Sequence, residues 1–85
     1  MTYKIEHAKS NRDSFGNYRY CIYEDGCLIA YYWHDYRGDE HGIEFINGTS
    51  EPCPVGQMAD FIEGGGPQPL ALSDRAVAYL NKMAL

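Results

Sequence analysis

The chain has no run approaching the 18 or so consecutive apolar residues of a membrane helix. Its opening residues, MTYKIEHAKSNRD, lack the apolar stretch of a secretory leader. Both absences predict a soluble, cytoplasmic protein. Bases are scarce: seven Lys and Arg stand against twelve Asp and Glu, a net charge of −5. Binding to a phosphate backbone needs Lys and Arg to release counterions, so this shortage argues against direct nucleic-acid binding. The three cysteines, Cys21, Cys27 and Cys53, are too few and odd in number for a disulfide framework. No internal repeat and no long linker divides the 85 residues, which predicts one domain over residues 1–85 with a modest core. Gly64-Gly65-Gly66 is followed by Pro67-Gln68-Pro69 and not by Lys-Ser/Thr, so it reads as a helix stop and not as a phosphate cradle.

Tyrosine is abundant. There are eight, seven of them before residue 37. The acids are unevenly spread: Asp35 to Glu63 holds seven acids and only Arg37 as a base, while the first 23 residues are net basic. An acidic half suits a basic protein partner, or plain solubility.

Thr2–Ala8 alternates, with Tyr3, Ile5 and His7 on one side, and reads as a half-buried strand; the polar segment Lys9–Gly16 reads as a loop. Asn17–Glu24 and Cys27–Tyr36 are rich in Tyr, Ile and Trp, and only Asp25-Gly26 separates them. That pair suits a two-residue type I′ hairpin. A tight turn pairs Glu24 with Cys27, Ile22 with Ile29, Tyr20 with Tyr31 and Tyr18 with Trp33, all six of the latter on the core face. Tyr23, Leu28, Cys21, Ala30, Arg19, Tyr32, Asn17 and His34 then point outward. A second turn around Gly38 leads to a strand at His41–Ile46, with Ile43 and Phe45 inward and Asp35 opposite His41. Asn47-Gly48-Thr49 matches a glycosylation pattern but reads as an Asn-Gly turn in the loop to Pro54. Pro54 as a first helical residue, with Val55, Met58, Ala59 and Ile62 at helical spacing, predicts a short helix. Gln68–Leu72 reads as extended. Ser73 is an N-cap, and Ala76, Val77, Leu80, Met83 and Ala84 form the stripe of a closing helix. The expected fold is α+β: a four-stranded antiparallel β-meander with one face covered by a short helix and a C-terminal helix.

The densest segment is Tyr31 to His41, with four aromatics, two of the three histidines and three acids. His34, Asp35, Asp39, Glu40 and His41 are ligand types for a divalent ion. Their spacing matches no metal pattern, and the expected register sends His34 and His41 to opposite faces. Asp39 and Glu40, adjacent in a turn, read as solvated charge and not as an acid–base pair. Cys53, between Pro52 and Pro54 and ahead of a helix start, has the placement of an activated thiol, with His7 or His41 as its base; it reads more simply as a loop residue. No metal or cofactor is therefore expected. Aromatics could stack nucleic-acid bases, but that mode wants Lys and Arg beside the rings, and here the neighbours are acids. Tyr, Trp and Arg are instead the side chains enriched at protein–protein interfaces.

The expectation is a small acidic protein-binding module without catalytic activity. Its partner would have a basic surface and would be bound through Tyr32, His34, Tyr36, Arg37, Asp39 and Glu40. In concrete form it is an inhibitor encoded by a phage or mobile element that fills the basic groove of a bacterial nucleic-acid-binding defence complex, as anti-CRISPR proteins do. Size, charge and the lack of catalytic motifs carry that reading; no residue motif does. The alternatives are a small metal-binding or thiol enzyme using His34, Asp35 and His41 or Cys53, and a homo-oligomer, such as a homodimer, joined through a strand edge or the aromatic face.

Overall fold

Asp25 and Gly26 both adopt left-handed backbone, with φ of 50° and 87°. This is the geometry a two-residue I′ turn requires, and Asp and Gly tolerate it best. The turn joins strands β2 (Tyr18–Glu24) and β3 (Cys27–His34) and pairs Glu24 with Cys27, as the sequence predicts. The computed structural model describes residues 2–12, 18–35, 37, 39–64 and 68–83, with the backbone alone over 9–12.

Around this hairpin lies a five-stranded antiparallel sheet in chain order: β1 (Tyr3–Arg12), β2, β3, β4 (His41–Phe45) and β5 (Ser50–Pro52). Three expectations are corrected here. The sheet has five strands and not four, because Ser50–Pro52, expected in a loop, pairs with β4. β1 runs on to Arg12 through residues expected in a loop, of which 13–16 lie outside the described residues. The short helix from Pro54 does not form. Cys53, Val55 and Gly56 have φ of 47°, 56° and 109°, which no right-handed helix accommodates, and only one 3₁₀ turn follows at Met58–Asp60. The chain then makes a two-stranded ribbon of β6 (Ile62–Glu63) and β7 (Ala71–Leu72). The expected glycine stop at Gly65 and Gly66 lies outside the described residues.

The closing helix α1 spans Asp74–Met83. Ser73 caps it, its Oγ accepting from the Ala76 N–H at 3.0 Å. Ala76 and Leu80 are buried against the sheet, and Val77 and Met83 are half-buried. Ala84 lies outside the described residues.

The decisive feature is a β-bulge in β3. Tyr23 pairs with Leu28, but the next pair is Ile22 with Ala30, so Ile29 is the extra residue and its carbonyl instead accepts from the Ile46 N–H at 3.0 Å. Side chains alternate along a strand, so one extra residue exchanges the faces of everything after it. Tyr20 therefore pairs with Tyr32, Arg19 with Trp33 and Tyr18 with His34. β4 follows the same phase: Ile43 pairs with Tyr32, Gly42 with Trp33 and His41 with His34. Ile43 and Phe45 do face inward as expected, but against Tyr32 and Ala30 and not against Trp33 and Tyr31.

The core consequently holds Ile5, Tyr20, Ile22, Ala30, Tyr32, Ile43, Phe61, Ile62, Ala76 and Leu80. Tyr32 is fully buried and stacks on Phe61, with ring centroids 4.3 Å apart and planes 6° apart. α1 and the 54–63 segment both lie on this inner face.

Candidate functional site

The bulge places two tyrosine–histidine pairs side by side in the core. The Tyr20 hydroxyl lies 2.7 Å from His34 Nε2, and the Tyr32 hydroxyl lies 2.9 Å from His41 Nδ1. The other ring nitrogens meet backbone carbonyls: His34 Nδ1 is 2.6 Å from Asp35 O, and His41 Nε2 is 2.7 Å from Gly56 O. A carbonyl can only accept, so His34 carries its hydrogen on Nδ1 and His41 on Nε2. The remaining nitrogen of each ring accepts from a phenol. Every polar atom of the four side chains has a partner, which is what burial at this depth demands.

This network corrects the outward placement of Tyr32 and His34. They are 0% and 8% exposed and belong to the interior. It also corrects the assignment of the two histidines to opposite faces, since they are direct cross-strand partners. Bringing them together does not free them to bind a metal, because both lone pairs are taken by phenols. Among the described residues, no group of three or more His, Cys, Asp or Glu side chains could hold a metal ion. The thiol reading meets the same obstacle. The Cys53 N–H donates to His41 O at 2.9 Å, yet the His41 ring is fully engaged elsewhere. Nor does a helix start at Cys53.

Asp35 does not meet His41. Its N–H donates to Glu40 O at 2.9 Å, and its Oδ1 accepts from the Asp39 and Arg37 N–H groups at 2.9 and 3.2 Å. It thereby holds the turn that presents Arg37, Asp39 and Glu40, all exposed, with Arg37 and Asp39 paired at 3.6 Å. Tyr36, expected in the same contact surface, lies outside the described residues, as does Gly38. A cleft of about 330 Å³ separates this turn from the 56–59 segment.

The outer face of the sheet carries the aromatics that the core does not use. Tyr23, Leu28, Tyr31 and Trp33 are half-buried on it, with Cys21 and Arg19 between them. The Arg19 guanidinium lies 5.5 Å from the Tyr31 ring centre and 3.8 Å from Glu44. The Trp33 indole covers Gly42, where an added Cβ would sit 2.7 Å from the indole nitrogen. Glu6 and Glu44 edge the patch. Tyr31 and Trp33 are the residues that sequence reasoning missed on this face. Periodicity alone could not find them, because residues 28–33 of β3 include no charged or amide side chain to set the phase.

Burial raises the hydroxyl pKa values of Tyr32, Tyr20 and Tyr79 above the ordinary value of 10; for Tyr79 the hydrogen bond it donates to Glu51 at 2.7 Å adds to this. An unfolded chain loses these protons near pH 10 while the folded chain keeps them, so stability should fall as pH climbs above about 10 and stay flat just below it. The urea midpoint measured from pH 8 upward reads this directly. A midpoint unchanged well above pH 10 would contradict the burial described.

The fold and site define a small acidic α+β domain with a polar network locked in its core and an aromatic sheet face outside it. Among the described residues no helix is long and apolar enough to cross a membrane. Compared with family models, with curated proteins and with solved structures, the chain finds no match in any of the three.

Proposed function

We propose that the protein is a small, non-catalytic protein-binding module whose partner presents a basic surface. The observation that carries this is the outer sheet face. Tyr23, Leu28, Tyr31 and Trp33 remain half-exposed there, outside the core, while α1 and the β6–β7 ribbon pack on the other side. Aromatics of this kind bury much area at small entropic cost, which is why they anchor interfaces. The net charge of −5 favours a basic partner; Glu6, Glu44 and Asp39 already offset Lys4, Arg19 and Arg37, so the bias comes from the excess of acids over the whole chain. In its most specific form the partner is the nucleic-acid groove of a bacterial defence complex, filled by an acidic inhibitor from a phage or mobile element. The exposed turn at Arg37, Asp39 and Glu40 would flank the contact.

The test is retention of a basic protein from a bacterial host lysate on the immobilised chain, at low and high salt, against a Tyr31→Ala/Trp33→Ala double variant. One basic protein should be retained, released by salt and lost from the variant. Retention that ignores both salt and the two substitutions would overturn the reading. If the chain is instead a dimer in solution that the double variant dissociates, a second copy occupies this face.

A further inference from the structure

We propose that the cleft between the β2–β3 hairpin, the β4–β5 turn and the last turn of α1 binds a small primary alkylammonium compound. Its chain would lie against Ile29, Phe45, Leu80 and Met83, and its ammonium would bind Glu24. The cleft is lined by these residues with Tyr3, Ile46 and Asn47, and its volume is about 190 Å³. A cavity of roughly 150 Å³ holds benzene, so this one suits a chain of about five to seven heavy atoms.

Glu24 gives the site its polarity. Its Oε2 is buried and has no hydrogen-bond partner among the described residues, an arrangement that costs stability until a donor arrives. The ion pairs among the described residues, Lys4–Glu6, Arg19–Glu44, Arg37–Asp39 and Arg75–Asp60, leave Glu24 out. The potential around it is negative for two further reasons. The Tyr3 hydroxyl, which donates to Asn81 Oδ1 at 3.1 Å, also lies within hydrogen-bond reach of the Glu24 carboxyl group, so that only Oε2 is left over; burial first, then that contact and the charges of Glu24 and Asp25, raise its pKa. Leu80 and Met83 belong to the last turn of α1, where the free carbonyls carry partial negative charge. An anion is disfavoured on each count, and a neutral alcohol offers Oε2 only an uncharged hydrogen bond where an ammonium offers a charge-assisted one. Met83 is unbranched and half-buried, so it can swing aside to admit the ammonium. The cleft is on the inner side of the sheet, so the proposal does not depend on what docks on the outer face.

The test is titration of the intact chain with n-hexylamine, n-hexanol and n-hexanoate at neutral pH, read by NMR of the Ile29, Leu80 and Met83 methyl groups. Hexylamine should give saturable shifts confined to these methyls, with an affinity about tenfold or more above hexanol, and hexanoate should give none. Glu24→Gln should lower hexylamine to the level of hexanol and leave hexanol unchanged. Equal binding of amine and alcohol, binding of hexanoate, or no saturable amine shift would overturn the proposal. The ligand series in the unaltered chain decides it even if Glu24→Gln does not fold.

Discussion

Tyr32→Ala should cost about 3–5 kcal/mol, whereas Trp33→Ala, one position along the same strand, should cost clearly less, about 1–2 kcal/mol. The two residues are neighbours in an aromatic run, but the bulge at Ile29 turns one inward and the other outward. Removing Tyr32 empties the space against Phe61 and strips His41 Nδ1 of its donor. Removing Trp33 uncovers Gly42 on the outer face and opens no cavity in the core, to which Trp33 does not belong. A chain of this length has a total stability on the order of 4–13 kcal/mol, so the first variant should be largely unfolded or melt roughly 15–30 °C lower. Tyr32→Phe separates the two losses, because it keeps the stack and leaves only the histidine nitrogen unpaired, at about 1–3 kcal/mol. Urea denaturation of the three variants is the measurement. A costlier Trp33→Ala than Tyr32→Ala would place the bulge elsewhere.

Gly64→Ala should cost about 2–4 kcal/mol through the backbone alone. Gly64 has a φ of 74°, and a Cβ there would run into the Pro69 carbonyl oxygen, which cannot rotate away as a side chain would. The residue immediately follows β6, so relief of the clash would part the β6–β7 ribbon and the Phe61–Ser73 hydrogen bond beside it. Gly48→Ala is the natural control. Its φ of 97° is comparably unfavourable, but an added Cβ meets nothing within 4 Å, so the cost should be about 1 kcal/mol. Equal losses in the two variants would show that the clash at Gly64 is relieved at no cost.

Much of the first hairpin was legible because local chemistry settles it. Asp25-Gly26 admits few other conformations, and the β2 assignments follow: Tyr18, Tyr20 and Ile22 inward, Arg19, Cys21 and Tyr23 outward. Ser73 as a cap was legible for the same reason. The phase of β3 was not. Ile29, Ala30, Tyr31, Tyr32 and Trp33 offer no polar position to mark the solvent side, so alternation fits equally well in either phase. The bulge that chooses between them contains no glycine to betray it. That single residue decides the candidate site, since it sends Tyr32 and His34 inward and brings Tyr31 and Trp33 out. The short helix failed for another reason. Val55, Met58, Ala59 and Ile62 have helical spacing, but left-handed Cys53 and Val55 precede the turn, and a β-branched residue at positive φ is not something periodicity reveals. β5 is three exposed residues, Ser50-Glu51-Pro52, with no apolar alternation to announce it; proline there fits a sheet edge.

Trp33 is the only tryptophan in the chain, so acrylamide quenching of its fluorescence reports on the outer face without interference. The folded protein should be quenched to an intermediate degree, well above that of a fully buried indole, with an emission maximum that moves only part of the usual distance to the red on unfolding. A blue-shifted emission that acrylamide reaches only after unfolding would place Trp33 in the core. The bulge, the buried Tyr32–His41 pair and the aromatic docking face would then all be wrong together.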